Sequence, residues 1–263
     1  MKRYIAGMAL ALVLGSCGQQ APDDMVEAPE AEVSVYTAAI TNTSRTESDR
    51  ARDAGRRPAE VLEFFGIEPG MTVLDLFSGG GYYAEIIAHI VGESGRVVAH
   101  SNEAYLGFIG EEFAARHADN RLPNVDVLMA ENNELELDAD RFDAIMMVLT
   151  YHDLYFESVE RDWGKIDVEK LLAELSKGLK PGGLLCIVDH FAAAGAPRET
   201  GDTVHRIDRN IVVQELEAAG FVLDGESDLL RNPDDDYSKM VFDSSVRGKT
   251  DRFILRFRKP ESS

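Results

Sequence analysis

Two stretches of the chain combine residue types that could do chemistry. The first runs Val73-Leu74-Asp75-Leu76-Phe77-Ser78-Gly79-Gly80-Gly81-Tyr82. An apolar run that ends on an acid and opens into glycines suits a loop whose backbone closes on a ligand, because glycine has no Cβ in the way. The second is Tyr151-His152-Asp153. Imidazole titrates near neutrality and can move a proton, so His152 is the candidate base, with Asp153 or Tyr151 orienting the substrate. Asp189-His190 and His205-Arg206 offer further candidates, His205 as part of a lid. The plainer reading of each is a hydrogen-bonded structural pair. No Cys/His pair has zinc-ligand spacing, and Asp234-Asp235-Asp236 reads as a solvated turn, so no metal centre is expected.

These residues need elements to position them. Pro58 to Phe65 predicts a helix with proline in its first turn and Gly66 just past its end. Met71 to Leu76 predicts a strand, Tyr82 to Val91 a helix, Gly95 to Ala99 a strand, Ala104 to His117 a helix and Val125 to Met129 a third strand. Phe142 to Leu149 is apolar nearly throughout, as a strand covered on both faces should be. Val168 to Leu179 carries Leu171, Leu172, Leu175 and Leu179 on one stripe and predicts a helix. Pro181-Gly182-Gly183 leads into a fifth strand, Leu184 to Asp189, and Asp208 to Ala219 is again helical. Phe221 to Asp224 and the alternating segment around Phe253, Leu255 and Phe257 close the pattern as a hairpin with an antiparallel edge strand. The alternation implies an α/β, Rossmann-like fold: a seven-stranded, mostly parallel sheet with helices on both faces and a C-terminal antiparallel edge hairpin. One domain is expected, from 45 to 259.

The glycine loop by itself leaves its ligand open. The dinucleotide spacing G-x-G-x-x-G would need glycine at Ala84, a change some dinucleotide sites tolerate. The wider pattern points elsewhere. Val73 to Tyr83 resembles motif I of the class I S-adenosylmethionine-dependent methyltransferases, and Arg141 to Leu149 resembles their fourth-strand motif. Leu179-Lys180-Pro181-Gly182-Gly183-Leu184-Leu185 is similar to the segment that precedes their strand five. The resemblance implies an S-adenosylmethionine cofactor. Asp75, Phe77, Ser78, Gly79 and Gly81 would lie around its methionine portion, Glu131 and Asn132 near the adenine, and Leu149 along its inner side. The family's acid at the end of strand two is replaced in Ser101-Asn102-Glu103, leaving either Asn102 to bond the ribose, more weakly than a carboxylate would, or Glu103 to reach in instead.

Composition narrows the partners. With 47 acidic and 27 basic residues the formal charge is −20, which repels phosphate backbones and anionic lipid, so no nucleic acid partner is expected. Lys2-Arg3, an apolar stretch from Ile5 to Leu14 and the exit Gly15-Ser16-Cys17 match a secretory signal over 1–17, too short to span a membrane. Leu14-Gly15-Ser16-Cys17 also resembles a lipoprotein processing site, which implies a lipid anchor at Cys17. Gly18 follows, where an aspartate commonly marks inner-membrane retention, so a periplasmic protein anchored to the outer membrane is expected. Residues 18–44 read as a tether and N-terminal extension, of which Val33 to Ile40 could dock on the domain. The expectation is an exported methyltransferase acting on a small-molecule methyl acceptor. The rivals are a non-catalytic envelope protein that keeps the fold and a nucleoside-like ligand site, and an NAD-dependent oxidoreductase. Oligomeric state is not legible.

Overall fold

A computed structural model describes residues 33–261; the signal segment, most of the tether and Cys17 lie outside the described residues. Seven strands form one sheet: β1 (Thr72–Leu76), β2 (Arg96–Ser101), β3 (Val125–Met129), β4 (Phe142–Val148), β5 (Leu179–His190), β6 (Val222–Ser227) and β7 (Arg252–Arg258). Their order is β3-β2-β1-β4-β5-β7-β6. The first five are parallel neighbours, and β7 inserts antiparallel between β5 and β6. The order reverses between β1 and β4, where open α/β sheets place their ligands at the carboxyl ends of the strands.

Among the described residues eight α-helices accompany the sheet: α1 (Val35–Ile40), α2 (Glu47–Arg56), α3 (Pro58–Phe65), α4 (Tyr82–Val91), α5 (Glu103–His117), α6 (Val168–Gly178), α7 (Thr200–Val204) and α8 (Arg209–Ala218). Side chains of Asn102, Asp167 and Asp208 cap the first turns of α5, α6 and α8, satisfying amides that have no partner inside the helix. Pro58 opens α3, and Gly66, with φ of 72°, ends it.

Successive strand residues face opposite layers. Val73, Val97, Ala144, Met146 and Cys186 pack with α1, α3 and α4. Leu74, Val98, Ile145, Met147, Leu185 and Ile187 pack with α6 and α8. Ala144 to Met147 are all fully buried, as their unbroken apolar run requires. Helix α1 joins this packing through Ala39, so the residues ahead of 45 include part of the folded body. Cys186 is a free, buried thiol in β5. No helix of the described residues is long and apolar enough to cross a membrane.

Candidate active site

The chain leaves β1 through a strained residue. Phe77 has φ of 54°, in the left-handed region that disfavours side chains. Its amide donates to His100 Nδ1 at 3.3 Å, while His100 Nε2 lies 3.0 Å from the Ala130 carbonyl. Burial lowers His100 to about 4, so its neutral ring accepts at one nitrogen and donates at the other. The Phe77 ring stacks on Tyr105 at 5.9 Å and lies 6.2 Å from Trp163.

Beyond it, Gly79 has φ of 58°, and a Cβ there would stand in open space. Gly80 and Gly81 are different. They are packed from behind by α5: a Cβ at Gly80 would have to displace the Glu112 carboxylate, and one at Gly81 would meet the buried Arg116 side chain. The Arg116 guanidinium donates to the Gly80 carbonyl and pairs with the buried carboxylates of Glu85 and Asp49. Asp75, under the loop, is 3% exposed, and its Oδ2 has no partner. Burial raises its carboxyl to about 7 against the pull of the neighbouring Ser78 hydroxyl, the Ala84 amide and Arg56. The hydroxyls of Ser78 and Ser101 are likewise buried without partners.

The ends of β2 and β3 are arranged differently. Asn102 Oδ1 accepts from the Tyr105 amide at 2.8 Å, and its Nδ2 donates to Asn132 Oδ1 at 2.9 Å. Glu131 Oε1 accepts from the Glu103 amide at 3.2 Å. These groups satisfy one another.

Past β4, Leu149 turns left-handed (φ 60°) and donates its amide to the Val188 carbonyl at 2.7 Å, which fastens the strand end to β5. The following turn buries His152 between two carboxylates. Its Nδ1 lies 2.7 Å from Asp189 Oδ1, its amide donates to Asp189 Oδ2 at 2.8 Å, and its Nε2 lies 3.3 Å from Asp153 Oδ1. Burial alone would lower the imidazole, but Asp189 and Asp153 outweigh it and raise it to about 10. Asp153 Oδ2 accepts from the Tyr105 hydroxyl at 2.8 Å, and Asp153 Oδ1 lies 3.4 Å from His205 Nδ1. Burial opposes ionisation of Asp153, yet His152, with His205 and Tyr105, holds it well below the usual carboxylate range. Gly201 of α7 packs so closely on the His152 carbonyl that a Cβ could not fit.

One cleft of about 540 Å³ joins the glycine loop to this cluster, within the size range of small-molecule sites. Phe77, Tyr105, Phe108, Phe156 and Trp163 supply its aromatic lining, and His152, Asp153, His190 and His205 its polar end. Arg52, Arg56, Arg161 and Arg247 also reach it. Arg52 pairs with Asp49 and Glu112, whereas Arg56, Arg161 and Arg247 have no carboxylate partner among the described residues. Arg56 instead lies over the Tyr82 ring and Arg161 over Phe108. A larger groove, about 930 Å³, runs beside α6 and α8; its lining mixes four glutamates with Lys165, Arg198 and apolar side chains, and none of the glycine-loop residues reaches it.

The structure therefore sorts the residues singled out from sequence. Phe77, Ser78, Gly79, Leu149, His152 and Asp153 meet in the cleft. Asp75 lies beneath it and Gly81 faces α5. Asn102, Glu131 and Asn132 do not line it, because they bond one another and the start of α5. Tyr151 is turned away: it is fully buried, and its hydroxyl donates to Glu215 at 2.9 Å, so it cannot orient a substrate in the cleft. His152 is held between Asp189 and Asp153, whose charges favour its protonated form against the effect of burial. Asp235 is no solvated residue either; it holds the buried Arg206 through both oxygens. Tyr105, Phe156 and the three arginines without a carboxylate partner among the described residues lie on separate segments with no shared motif, so nothing in the sequence groups them.

A family model described as protein-L-isoaspartate(D-aspartate) O-methyltransferase matches residues 35–148, somewhat under half of the chain. The ubiquinone/menaquinone biosynthesis C-methyltransferase UbiE of Hydrogenovibrio crunogenus is 33% identical over 133 residues, covering 49% of this chain and 46% of that protein. The chain thus spans about half the length of the curated relatives it matches. Among solved structures, a SAM dependent methyltransferase from Aquifex aeolicus superposes with a TM-score of 0.53 at 27% identity, over 76% of this chain and 88% of that one. The [4+2]-cyclase SpnF superposes with a TM-score of 0.52 at 19% identity, over 84% and 86%. Strand order, glycine loop and these neighbours agree, and the chain has the Rossmann-like fold of the class I S-adenosylmethionine-dependent methyltransferases.

Proposed function

We propose that the protein is an S-adenosylmethionine-dependent methyltransferase whose methyl acceptor is a small, acid-bearing molecule. The observation that carries the cofactor reading is the loop after β1: Asp75 Oδ2 and Ser78 Oγ are buried without hydrogen-bond partners among the described residues, beside the bare Gly79. Unpaired buried polar groups are costly, and the ammonium and carboxylate of an amino-acid tail would satisfy them. Bound there, the cofactor would supply an activated methyl on a sulfonium. The chain's own contribution is then alignment and exclusion of water, for which the aromatic lining of Phe77, Tyr105, Phe156 and Trp163 is suited. His152, fixed by Asp189 and Asp153, gives the acceptor end a rigid floor in place of a mobile base.

The acid-bearing acceptor rests on Arg56, Arg161 and Arg247. In a chain with a formal charge of −20, three arginines in one cleft that have no carboxylate partner among the described residues call for an anionic ligand. One can serve the cofactor's own carboxylate, leaving the others for the acceptor. Calorimetry with S-adenosylhomocysteine tests the cofactor; absence of binding, with NAD binding in its place, would overturn it. Arg161→Ala with Arg247→Ala should raise the KM for an acidic acceptor while cofactor affinity is retained, and unchanged KM would remove the acid from the reading.

Export to the envelope and lipidation at Cys17 form part of the same proposal, supported by the N-terminal sequence. Cys17→Ser should move the protein from the membrane to the soluble fraction of cells; an unchanged distribution would end the anchor reading.

A further inference from the structure

The histidine end of the cleft holds more order than an acceptor floor requires. His152, Asp153 and His205 are all buried, and one donor atom from each lies within 4.8 Å of the others. We propose that His152 Nε2, Asp153 Oδ1 and His205 Nδ1 form a binding site for a divalent transition-metal ion of the zinc type, with its remaining coordination position open to the cleft.

The spacing supports it. Donors about 2.0–2.2 Å from a tetrahedral ion stand about 3.4 Å apart. Asp153 Oδ1 lies 3.3 Å from His152 Nε2 and 3.4 Å from His205 Nδ1. These separations are long for hydrogen bonds. Among the described residues His205 Nδ1 has no hydrogen-bond partner, although the residue is only 7% exposed. Its backbone is held left-handed at φ of 54°, and its ring is gripped between Phe156 and Phe242 at 5.1 and 5.0 Å. Strain of this kind persists where surrounding packing imposes it, and it gathers at functional sites.

The outer contacts are those that metal ligands need. Asp189 holds His152 Nδ1, which leaves Nε2 to ligate. Tyr105 occupies Asp153 Oδ2, which leaves Oδ1. A carboxylate behind a ligating histidine and a donor behind a ligating carboxylate fix tautomer and direction. Two imidazoles and one carboxylate suit zinc and related ions. All three residues line the cleft, so an ion there would meet the acceptor directly.

The test uses the full chain, stripped with chelator and dialysed against ZnCl2 or CoCl2, with metal counted by mass spectrometry. One zinc per chain is expected, lost by more than about tenfold in affinity in His205→Ala and in Asp153→Asn. Zinc retained by both variants would place it elsewhere in the chain and overturn the site. Cobalt in the unaltered protein gives a second readout that needs no variant to fold. Intense visible bands of tetrahedral nitrogen and oxygen coordination are expected, and only the weak bands of the hydrated ion would sink the proposal.

Discussion

The loop after β1 and the ends of β2 and β3 were both expected to hold the cofactor, and they are built on opposite lines. The loop presents Asp75 Oδ2 and Ser78 Oγ buried and unpartnered, beside a glycine with nothing over it. At β2 and β3, Asn102, Asn132, Glu131 and the Glu103 amide have already paired among themselves. A group without a partner gains one when a ligand arrives, whereas a paired group must first lose one, which cancels most of the gain. Binding free energy in this fold should therefore be concentrated on the β1 side.

The comparison can be broken at several points. The largest effect is expected at Arg116, which backs the loop from α5. Arg116→Ala leaves the buried Glu85 and Asp49 with fewer cations and should cost about 3–5 kcal/mol in denaturant unfolding; a loss within the noise would mean that the loop stands without its backing. Next comes Asp75→Asn, which should weaken S-adenosylhomocysteine binding by about 10–100-fold in calorimetry, the range for a hydrogen bond to a charged group. Equal binding would move the weight to β2 and β3.

The third is a pH effect. Because the folded carboxyl of Asp75 sits at about 7 and the ordinary value is 3.8, the folded chain keeps a proton that the unfolded chain releases. Asp75 thus costs ligand-free stability as pH rises from about 4 to about 7, and no more above that. Cofactor affinity should run the other way, rising through pH 7 as Asp75 ionises, with Arg56 and Tyr83 as its charged and titratable neighbours. The rise should vanish in Asp75→Asn. The smallest effect is expected at the interlocked end: Asn132→Ala should change affinity by less than about threefold, the lower range for a neutral hydrogen bond. A larger loss would show that Asn132 leaves Asn102 to hold the cofactor.

What could be read beforehand follows the same division between local and distant pairing. Strand β4 announces itself because four consecutive residues are buried on both faces of the sheet, and helix α3 because proline opens it and glycine closes it. The loop from Asp75 to Gly81 is contiguous, so its candidates came out of one short stretch. The histidine cluster is not contiguous. Tyr105, His152, Asp189 and His205 come from α5, the turn after β4, the end of β5 and the residue after α7. One signal was available: β4 and β5 are parallel neighbours with Val148 opposite Val188, so Asp189 must stand beside whatever follows β4. Nothing local marks His205 as the partner of Asp153, nor Asn132 as the partner of Asn102, since both pairings depend on loop paths. The left-handed backbone of Phe77 is hidden for a related reason, because the His100 ring that accepts its amide lies 23 residues later.

The arginines that reach the cleft have a kinetic corollary. They sit as a small positive patch within a chain carrying 20 excess negative charges. Beyond the screening distance, about 8–10 Å in ordinary saline, an approaching anion meets the repulsion of the whole molecule and only afterwards the attraction of the patch. Added salt shortens the reach of that repulsion, so the association rate of an anionic acceptor should climb with ionic strength, the reverse of the steering seen when field and binding patch share a sign.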